Sequence, residues 1–339
     1  MKTIFIVDDS DTNLSMAESA LESQYDIMTM PSAAIMFSLL EKIKPDLILL
    51  DIEMPEMNGF EAIELLKKES RWADIPVIFL TGRTAAEIEV RGFELGAIDF
   101  IAKPFLAPVL VNRIKVHLDI DMLIRERTEQ LYRLQNSIVS VLADMVERRD
   151  KGTGSHIERT SIYIRILIEA MKEHKIYIDE ICKWNVEKLV SSARMHDLGK
   201  IAIADIIINK PGKLTDEEFR IMTTHVIEGE IIIDEIIAKT GEEEFLVNAR
   251  LFASTHHERW DGSGYPRGLK GEAIPLHGRI MAIVDVYDAL VSERPYKKAF
   301  SKDEAIEIIM KDAGTHFDPK IANVFYEAKD LFKAVRTDL

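Results

Sequence analysis

Two adjacent imidazoles open the stretch His256-His257-Glu258-Arg259-Trp260-Asp261-Gly262-Ser263-Gly264-Tyr265-Pro266. Side-by-side histidines suit a metal ion better than a packed core, because neutral imidazole is a strong transition-metal ligand. The residues after the pair read as a loop: Gly262 and Gly264 permit backbone angles that other residues avoid, and Pro266 fixes the exit. Upstream stands Arg194-Met195-His196-Asp197-Leu198-Gly199-Lys200, with His225 between, His156 farther up and Asp285 downstream. Five of the nine histidines fall in these segments. A second set is acidic. Asp8 and Asp9 follow the first apolar run and Asp51 the third, while Thr81 and Lys103 close the fourth and fifth. Three carboxylates in one crevice repel each other unless a cation joins them, and hard oxygen ligands favour Mg²⁺. A carboxylate beside Mg²⁺ can attack a phosphoryl group, with Lys103 and the Thr81 hydroxyl holding the added oxygens.

Different elements must position the two sets. Short apolar runs at Ile4–Val7, Tyr25–Thr29, Leu47–Leu50, Val77–Leu80 and Ile98–Ile101 alternate with helical patterns such as Leu14–Leu21 and Ala33–Ile43. Strand and helix in alternation predict a doubly wound, five-stranded parallel sheet over residues 1–120, with its ligand site at the carboxyl ends of the strands. From Leu110 to Val146 there is neither glycine nor proline, and good helix formers dominate. Ile124, Leu131, Ile138 and Met145 recur every seventh residue, with Leu134 and Leu142 in the other seam position. This predicts a connecting helix over 121–149 that pairs two chains as a parallel coiled coil, although Arg127 and Thr128 break the pattern. The competing expectation is that the stripe packs on its own second domain. Over 150–339 the apolar positions keep helical periods, as in Ile162–Met171, Val186–Met195 and Ile280–Leu290, which predicts an all-helical domain with its site between helices. A small hairpin is expected near Gly264–Ile274.

Composition narrows the function classes. A chain of 339 residues predicts two or three domains. The net charge of −15, with no basic recognition helix, argues against DNA and anionic membrane surfaces. The single cysteine, Cys182, excludes an internal disulfide and is expected as a small buried apolar group in a cytoplasmic protein. No apolar run reaches the ~20 residues that span a bilayer. The start, Met1-Lys2-Thr3-Ile4, runs straight into a strand pattern and does not read as a signal peptide.

The acidic set resembles the response-regulator receiver family: Asp8-Asp9, then Asp51-Ile52-Glu53-Met54-Pro55 with Gly59, then Thr81, then Lys103-Pro104-Phe105. That resemblance implies that Asp51 accepts phosphate from a sensor histidine kinase. Asp8, Asp9 and the Glu53 carbonyl would then hold Mg²⁺, and Phe100 would be the switch aromatic. The histidine set, in the order H…HDxGK…H…HH…GYP…D, is similar to the HD-GYP family of cyclic-dinucleotide phosphodiesterases over roughly residues 140 to 330. Histidine and carboxylate donors without cysteine suit Fe or Mn, with Ni or Zn as alternatives, and the donors outnumber what one ion needs.

The HD-GYP resemblance implies that His156, His196, Asp197 and Asp285 hold one ion, and that Asp197, His225, His256 and His257 hold the other. Asp197 would bridge, and Lys200 would neutralise a phosphate oxygen or aid the leaving group. Arg294 and Lys297, with Tyr265 and Asp261 of the glycine loop, are the candidate substrate contacts. Some family members carry a third metal ligand four residues before the first histidine. Here that position is Gly152, so a binuclear site and a linear product are expected. The leading expectation is a receiver that controls a cyclic di-GMP phosphodiesterase yielding pGpG and, with further cleavage, GMP. Two others stand beside it: the same site acting on 3′,3′-cyclic GMP-AMP or another nucleotide, and a non-catalytic signalling adaptor. His117, His174, His277 and His316 are expected to be structural.

Overall fold

The computed structural model describes residues 1–82, 86–149, 156–293 and 298–336. It divides into two compact units, Met1–Gln130 and Leu131–Leu339.

In the first unit β1 (Thr3–Val7), β2 (Asp26–Met30), β3 (Leu47–Asp51), β4 (Val77–Thr81) and β5 (Asp99–Ala102) form one parallel sheet in the order β2-β1-β3-β4-β5. The helices are α1 (Asp11–Leu21), α2 (Ala33–Leu40), α3 (Gly59–Lys68), α4 (Ala86–Glu94) and the start of α5 (Ala107–Glu147), whose residues beyond Gln130 belong to the second unit. The unbroken apolar runs of β1, β3 and β4 have a simple cause: these strands bury both faces, whereas the edge strand β2 is mostly half-buried. Phe5, Val7, Ile48, Leu50 and Phe79 enter one core, and Ile4, Ile6, Leu47, Leu49 and Leu80 enter the other. At about 1.5–3 kcal/mol for each buried large side chain, this alternation fixes the strand register. It also sends Asp8, Asp51 and Thr81 to the same sheet edge. α5 starts with Pro108 in its first turn, where no backbone N–H is required, and meets no further helix breaker.

In the second unit come α6 (His156–Glu173), the one-turn α7 (Ile178–Ile181), α8 (Val186–Ala193), a 3-10 turn at Leu198–Ala202, the one-turn α9 (Asp205–Ile208), α10 (Asp216–Thr223), α11 (His225–Thr240), α12 (Glu244–Thr255), α13 (Leu276–Val291), α14 (Lys302–Lys311), α15 (Pro319–Glu327) and α16 (Lys329–Ala334). No strand forms there among the described residues, as the helical periods predict. α6 and α13 meet through Tyr163, Leu167, Ile280 and Tyr287, with Phe325 and Phe332 closing the cluster. A smaller cluster joins Val139 and Val146 of α5 to Met195 and Leu198, which flank His196 and Asp197, and to Phe245 and Ala249 of α12.

Two expectations fail. The hairpin near Gly264–Ile274 does not form; the segment is turns and a 3-10 turn at Gly271–Ala273. Its backbone donors go to a side chain instead: the buried Glu258 carboxylate accepts from Arg267 N–H at 2.8 Å and Leu269 N–H at 2.9 Å. Cys182 is exposed, not buried. It caps α7 just after Ile181, and that helix turns Ile181 inward and Cys182 out.

Candidate functional site

The histidine set converges. The ligand atoms of His156, His196 and Asp285 lie within 4.8 Å of one another, as do those of His225, His256 and His257. Asp197 stands between the two triads. Its Oδ2 is 3.3 Å from His196 Nε2, and its Oδ1 is 3.4 Å from His225 Nε2 and 3.7 Å from His256 Nε2. Local structure explains the convergence. His196 and Asp197 follow α8, His225 opens α11, His256 caps α12, His156 opens α6, and Asp285 projects from α13. The ends of four helices thus meet the side of a fifth.

Protons on these rings are assigned by their partners. His196 Nδ1 lies 3.0 Å from Ala193 O, His225 Nδ1 2.7 Å from Met222 O, and His256 Nδ1 3.0 Å from Phe252 O. Carbonyls only accept, so each Nδ1 carries the hydrogen and each Nε2 a bare lone pair. His156 Nδ1 lies 2.7 Å from Asp288 Oδ2, which orients it in the same sense. The lone pairs then face one another. His225 and His256 Nε2 are 3.4 Å apart, and His196 Nε2 is buried with no hydrogen-bond partner. Bare lone pairs beside carboxylates are what a cation site presents, and nitrogen–oxygen donors without thiolate fit divalent transition-metal ions. Burial holds His225, His256 and His257 below the ordinary histidine range, His256 down to about 3, which keeps them neutral ligands. At His196 burial is outweighed by Asp197, which raises the pKa of the metal-free ring. Burial also opposes a charge on Asp197, but Lys200 outweighs it and holds this carboxyl well below the usual range.

A cavity of about 150 Å³ lies against the centre, lined by Asp197, Lys200, His257 and Asp285 and, from α5, by Val139 and Leu142. Lys200 Nζ sits 2.8 Å from Asp197 Oδ2. The turn that carries it, Leu198–Ala202, is 3-10. Tyr265 packs its ring 4.8 Å from that of His257. The glycine loop can return to this point because Gly264 has no side chain: a Cβ there would lie 2.3 Å from Arg259 N and 2.6 Å from His257 O. Asp261 Oδ1 accepts from Ser263 N–H at 2.9 Å and Ser263 O–H at 2.6 Å within the same loop. Arg294, Lys297 and Gly152 lie outside the described residues. Of the histidines set aside, His277 is buried with Nε2 3.1 Å from Asn248 Oδ1, His316 stacks on Phe317, His117 pairs with Asp99, and His174 is exposed.

Three residues escape a reading of the sequence. Asp288 is buried and grips both His156 and Arg159, whose Nε donates to it at 2.6 Å. Glu258 organises the loop, and Glu147 lines the cavity and accepts from His156 N–H at 3.0 Å. Spacing gives a signal for Asp288 alone: it lies three residues, close to one helical turn, beyond Asp285, on a helix already known to face the site.

In the first unit, ligand atoms of Asp8, Asp9 and Asp51 lie within 4.8 Å of one another. Lys103 Nζ bridges Asp8 Oδ2 at 2.6 Å and Asp51 Oδ1 at 2.7 Å. Three carboxylates against one ammonium leave a net negative crevice, which fits a divalent cation. Burial raises the Asp51 pKa against the pull of Lys103. Glu53 N–H points to Asp51 Oδ1 at 3.4 Å, and Thr81 is buried at the neighbouring strand end. Phe100 is buried, its ring 5.4 Å from Phe79 and 5.0 Å from Phe93.

Similarity to known proteins divides the chain in the same way. The response regulator receiver domain family matches residues 4–115, and the HD domain family matches residues 129–321. A Vibrio cholerae protein named probable cyclic di-GMP phosphodiesterase is 40% identical over 338 residues, 95% of this chain and 77% of its own. The Xanthomonas campestris cyclic di-GMP phosphodiesterase response regulator RpfG is 32% identical over 345 residues, 96% of this chain and 87% of its own. A Vibrio cholerae 3′3′-cGAMP-specific phosphodiesterase 2 is 37% identical over 202 residues, 60% of this chain and 36% of its own.

Proposed function

The chain belongs to the response regulators that join a receiver domain to an HD domain, and on that premise we propose that it is a metal-dependent phosphodiesterase that hydrolyses cyclic di-GMP to linear pGpG. The observation that carries this reading is Asp197, one oxygen toward each triad. It is the arrangement a carboxylate shared by two ions needs. His156, His196 and Asp285 would hold one ion and His225, His256 and His257 the other, with Fe or Mn the metals that best suit the donors. Two such ions would supply Lewis acidity that makes water nucleophilic near neutral pH. The remaining work falls to side chains. Asp197 holds its charge because Lys200 offsets it. Lys200 Nζ lines the cavity, where it offers positive charge to a phosphate oxygen and a proton to the departing 3′ oxygen. Tyr265 gives a ring for a base to stack on. Arg294 and Lys297 are assigned to the second phosphate or a guanine edge.

Turnover of cyclic di-GMP by protein purified without oxygen and loaded with Mn²⁺ or Fe²⁺ tests the reading, with Asp197→Ala as control. If wild type is as inactive as the control with every metal, the reading is wrong. The 3′3′-cGAMP-specific relative keeps a second substrate in view, and a side-by-side rate comparison of the two cyclic dinucleotides decides between them.

Control belongs to the first unit. We assign Asp51 as the phosphoacceptor for a sensor histidine kinase, Asp8, Asp9 and the Glu53 carbonyl as Mg²⁺ ligands, and α5 as the element that carries the change to the metal centre. α5 has two faces. Val139, Ala143 and Val146 are buried, whereas Ile124, Leu131, Ile138 and Met145 are exposed. The second face is assigned to a homodimer. Ile138→Asp should then yield a monomer in sedimentation, and unchanged size would refute the assignment.

A further inference from the structure

The turn Leu198–Ala202 is wedged between two elements. On one side Gly199 touches α11 so closely that a Cβ would fall 1.9 Å from His225 O and 2.4 Å from Gly229 N. On the other side is Arg149, two residues beyond the end of α5. Its guanidinium donates to Ile201 O at 2.8 Å and Ile203 O at 2.9 Å, with a longer contact to Lys200 O at 3.4 Å. It also pairs with Asp205 Oδ1 at 2.7 Å from Nη2 and 3.0 Å from Nε. Asn209 Nδ2 returns a hydrogen bond to Arg149 O at 2.8 Å.

This pattern uses what arginine alone offers, a planar fork with five donors. Three of its acceptors belong to the backbone that carries Lys200, so the grip defines where that backbone lies. Gly199 blocks retreat toward α11, and Arg149 blocks departure from α5. α5 is itself anchored beside the centre through Val139 and Val146 against Met195 and Leu198.

We propose that Arg149 is a positioning residue for Lys200: it fixes the 198–203 backbone, hence the Lys200 ammonium beside Asp197, to the end of α5. The proposal rests on Lys200 acting at the substrate phosphate, as the proposed function has it. A displacement of about 1 Å in a group that meets the reacting phosphate costs up to about a hundredfold in rate, so a clamp far from the substrate can still set turnover.

Two measurements on the full metal-loaded protein test it. The first is amide hydrogen exchange, which needs no substrate: Arg149→Ala should speed exchange of residues 200–203 at least about fivefold. The second is a double-mutant cycle on cyclic di-GMP turnover. Arg149→Ala should lower kcat about tenfold with KM and metal content little changed, Arg149→Lys should fall between, and Arg149→Ala should add nothing in a Lys200→Ala background. Unchanged exchange overturns the clamp. An equal kcat loss in both backgrounds, or loss of bound metal, overturns its action through Lys200. Should Arg149→Ala not fold, Asp205→Asn removes only the ionic part and is read in the same way. Wild-type protein that turns over no cyclic di-GMP, with exchange nonetheless accelerated, removes the functional reading and the catalytic half of the proposal with it, while the clamp stands.

Discussion

Asp288→Asn should damage the second unit twice, and the two effects can be separated. Asp288 is buried and takes His156 Nδ1–H at 2.7 Å, Arg159 Nε–H at 2.6 Å and Arg159 Nη2–H at 2.9 Å. Asparagine fills the same space but carries no charge and turns an NH₂ toward one of these donors, whichever way the amide points. Arg159, itself buried, then loses the carboxylate that takes two of its N–H groups. Removing one member of a buried pair costs about 3–5 kcal/mol. At about 2–4 °C per kcal/mol for a domain near this size, the metal-free melting point should fall by roughly 6–20 °C. Melting without metal keeps ligand binding out of the comparison. The second effect is on affinity. His156 loses the carboxylate that orients it, and losses of this kind cost about 10–100-fold in metal binding. A calorimetric Mn²⁺ titration measures it. Burial opposes ionisation of Asp288, but His156 and Arg159 outweigh it and hold its pKa below the ordinary carboxylate range. Its contribution is therefore complete above the unfolded pKa, near 4, and fades as pH falls through the folded value. An Asp288→Asn protein that melts within about 2 °C of wild type and binds Mn²⁺ as tightly would refute the reasoning.

Gly199→Ala should destabilise the second unit by about 1–3 kcal/mol and weaken metal binding, because the new methyl meets His225 O; a thermal melt beside a metal titration checks both. Asp51→Asn should abolish phosphate uptake from a small-molecule phosphodonor such as acetyl phosphate, since Asp51 and Asp8 already share Lys103; intact-mass measurement reads it, and an added phosphate in the variant would move the acceptor elsewhere. Asp99 is partly buried, which opposes its charge, yet bonds from His117, Phe100 N–H and Arg113 lower its pKa. Its share of receiver stability should be present above about pH 4 and disappear below it, and Asp99→Asn should flatten that part of the pH–melting curve.

What the sequence discloses depends on how local the cause is. The central receiver strands β1, β3 and β4 are legible because each buries both faces and so reads as an unbroken apolar run, closed by an acid in β1 and β3. Asp8 and Asp51 need no further information, since a parallel sheet delivers its strand ends to one edge. The connecting helix is legible as a helix, but its partners are not. Val139 and Val146 pack inward while Leu131, Ile138 and Met145 stay exposed, and a heptad count cannot tell those faces apart. The loop after His257 misleads because Glu258 acts over distance: a buried carboxylate that captures two backbone donors removes the reason to form a hairpin. Cys182 misleads because cysteine is buried on average, and a one-turn helix beneath the surface has room to bury only Ile181.

The metal centre sharpens the same distinction. His196, His225 and His256 each find an Nδ1 acceptor three or four residues back, at Ala193, Met222 and Phe252. Each ring sits over the turn before it, so α8 and α12 supply the carbonyl for His196 and His256, and the end of α10 supplies it for His225. Those three ligands orient themselves as soon as their helices form. His156 does not. It opens α6 much as His225 opens α11, but its Nδ1 meets a side chain and not a carbonyl of the preceding turn. It borrows an acceptor from another element, and Asp288, 132 residues away on α13, provides it. That acceptor is charged and buried, so it needs Arg159, which sits on the same face of α6 as His156 three residues on. The pair Arg159–Asp288 is therefore what holds His156 in place. It also makes His156 the ligand whose placement depends on the tertiary fold. Mild destabilisation of the α6–α13 contact should loosen His156 before the other histidines, and ring ¹⁵N chemical shifts of the four, followed against denaturant, would show their Nδ1–H tautomer failing in that order or show the inference wrong.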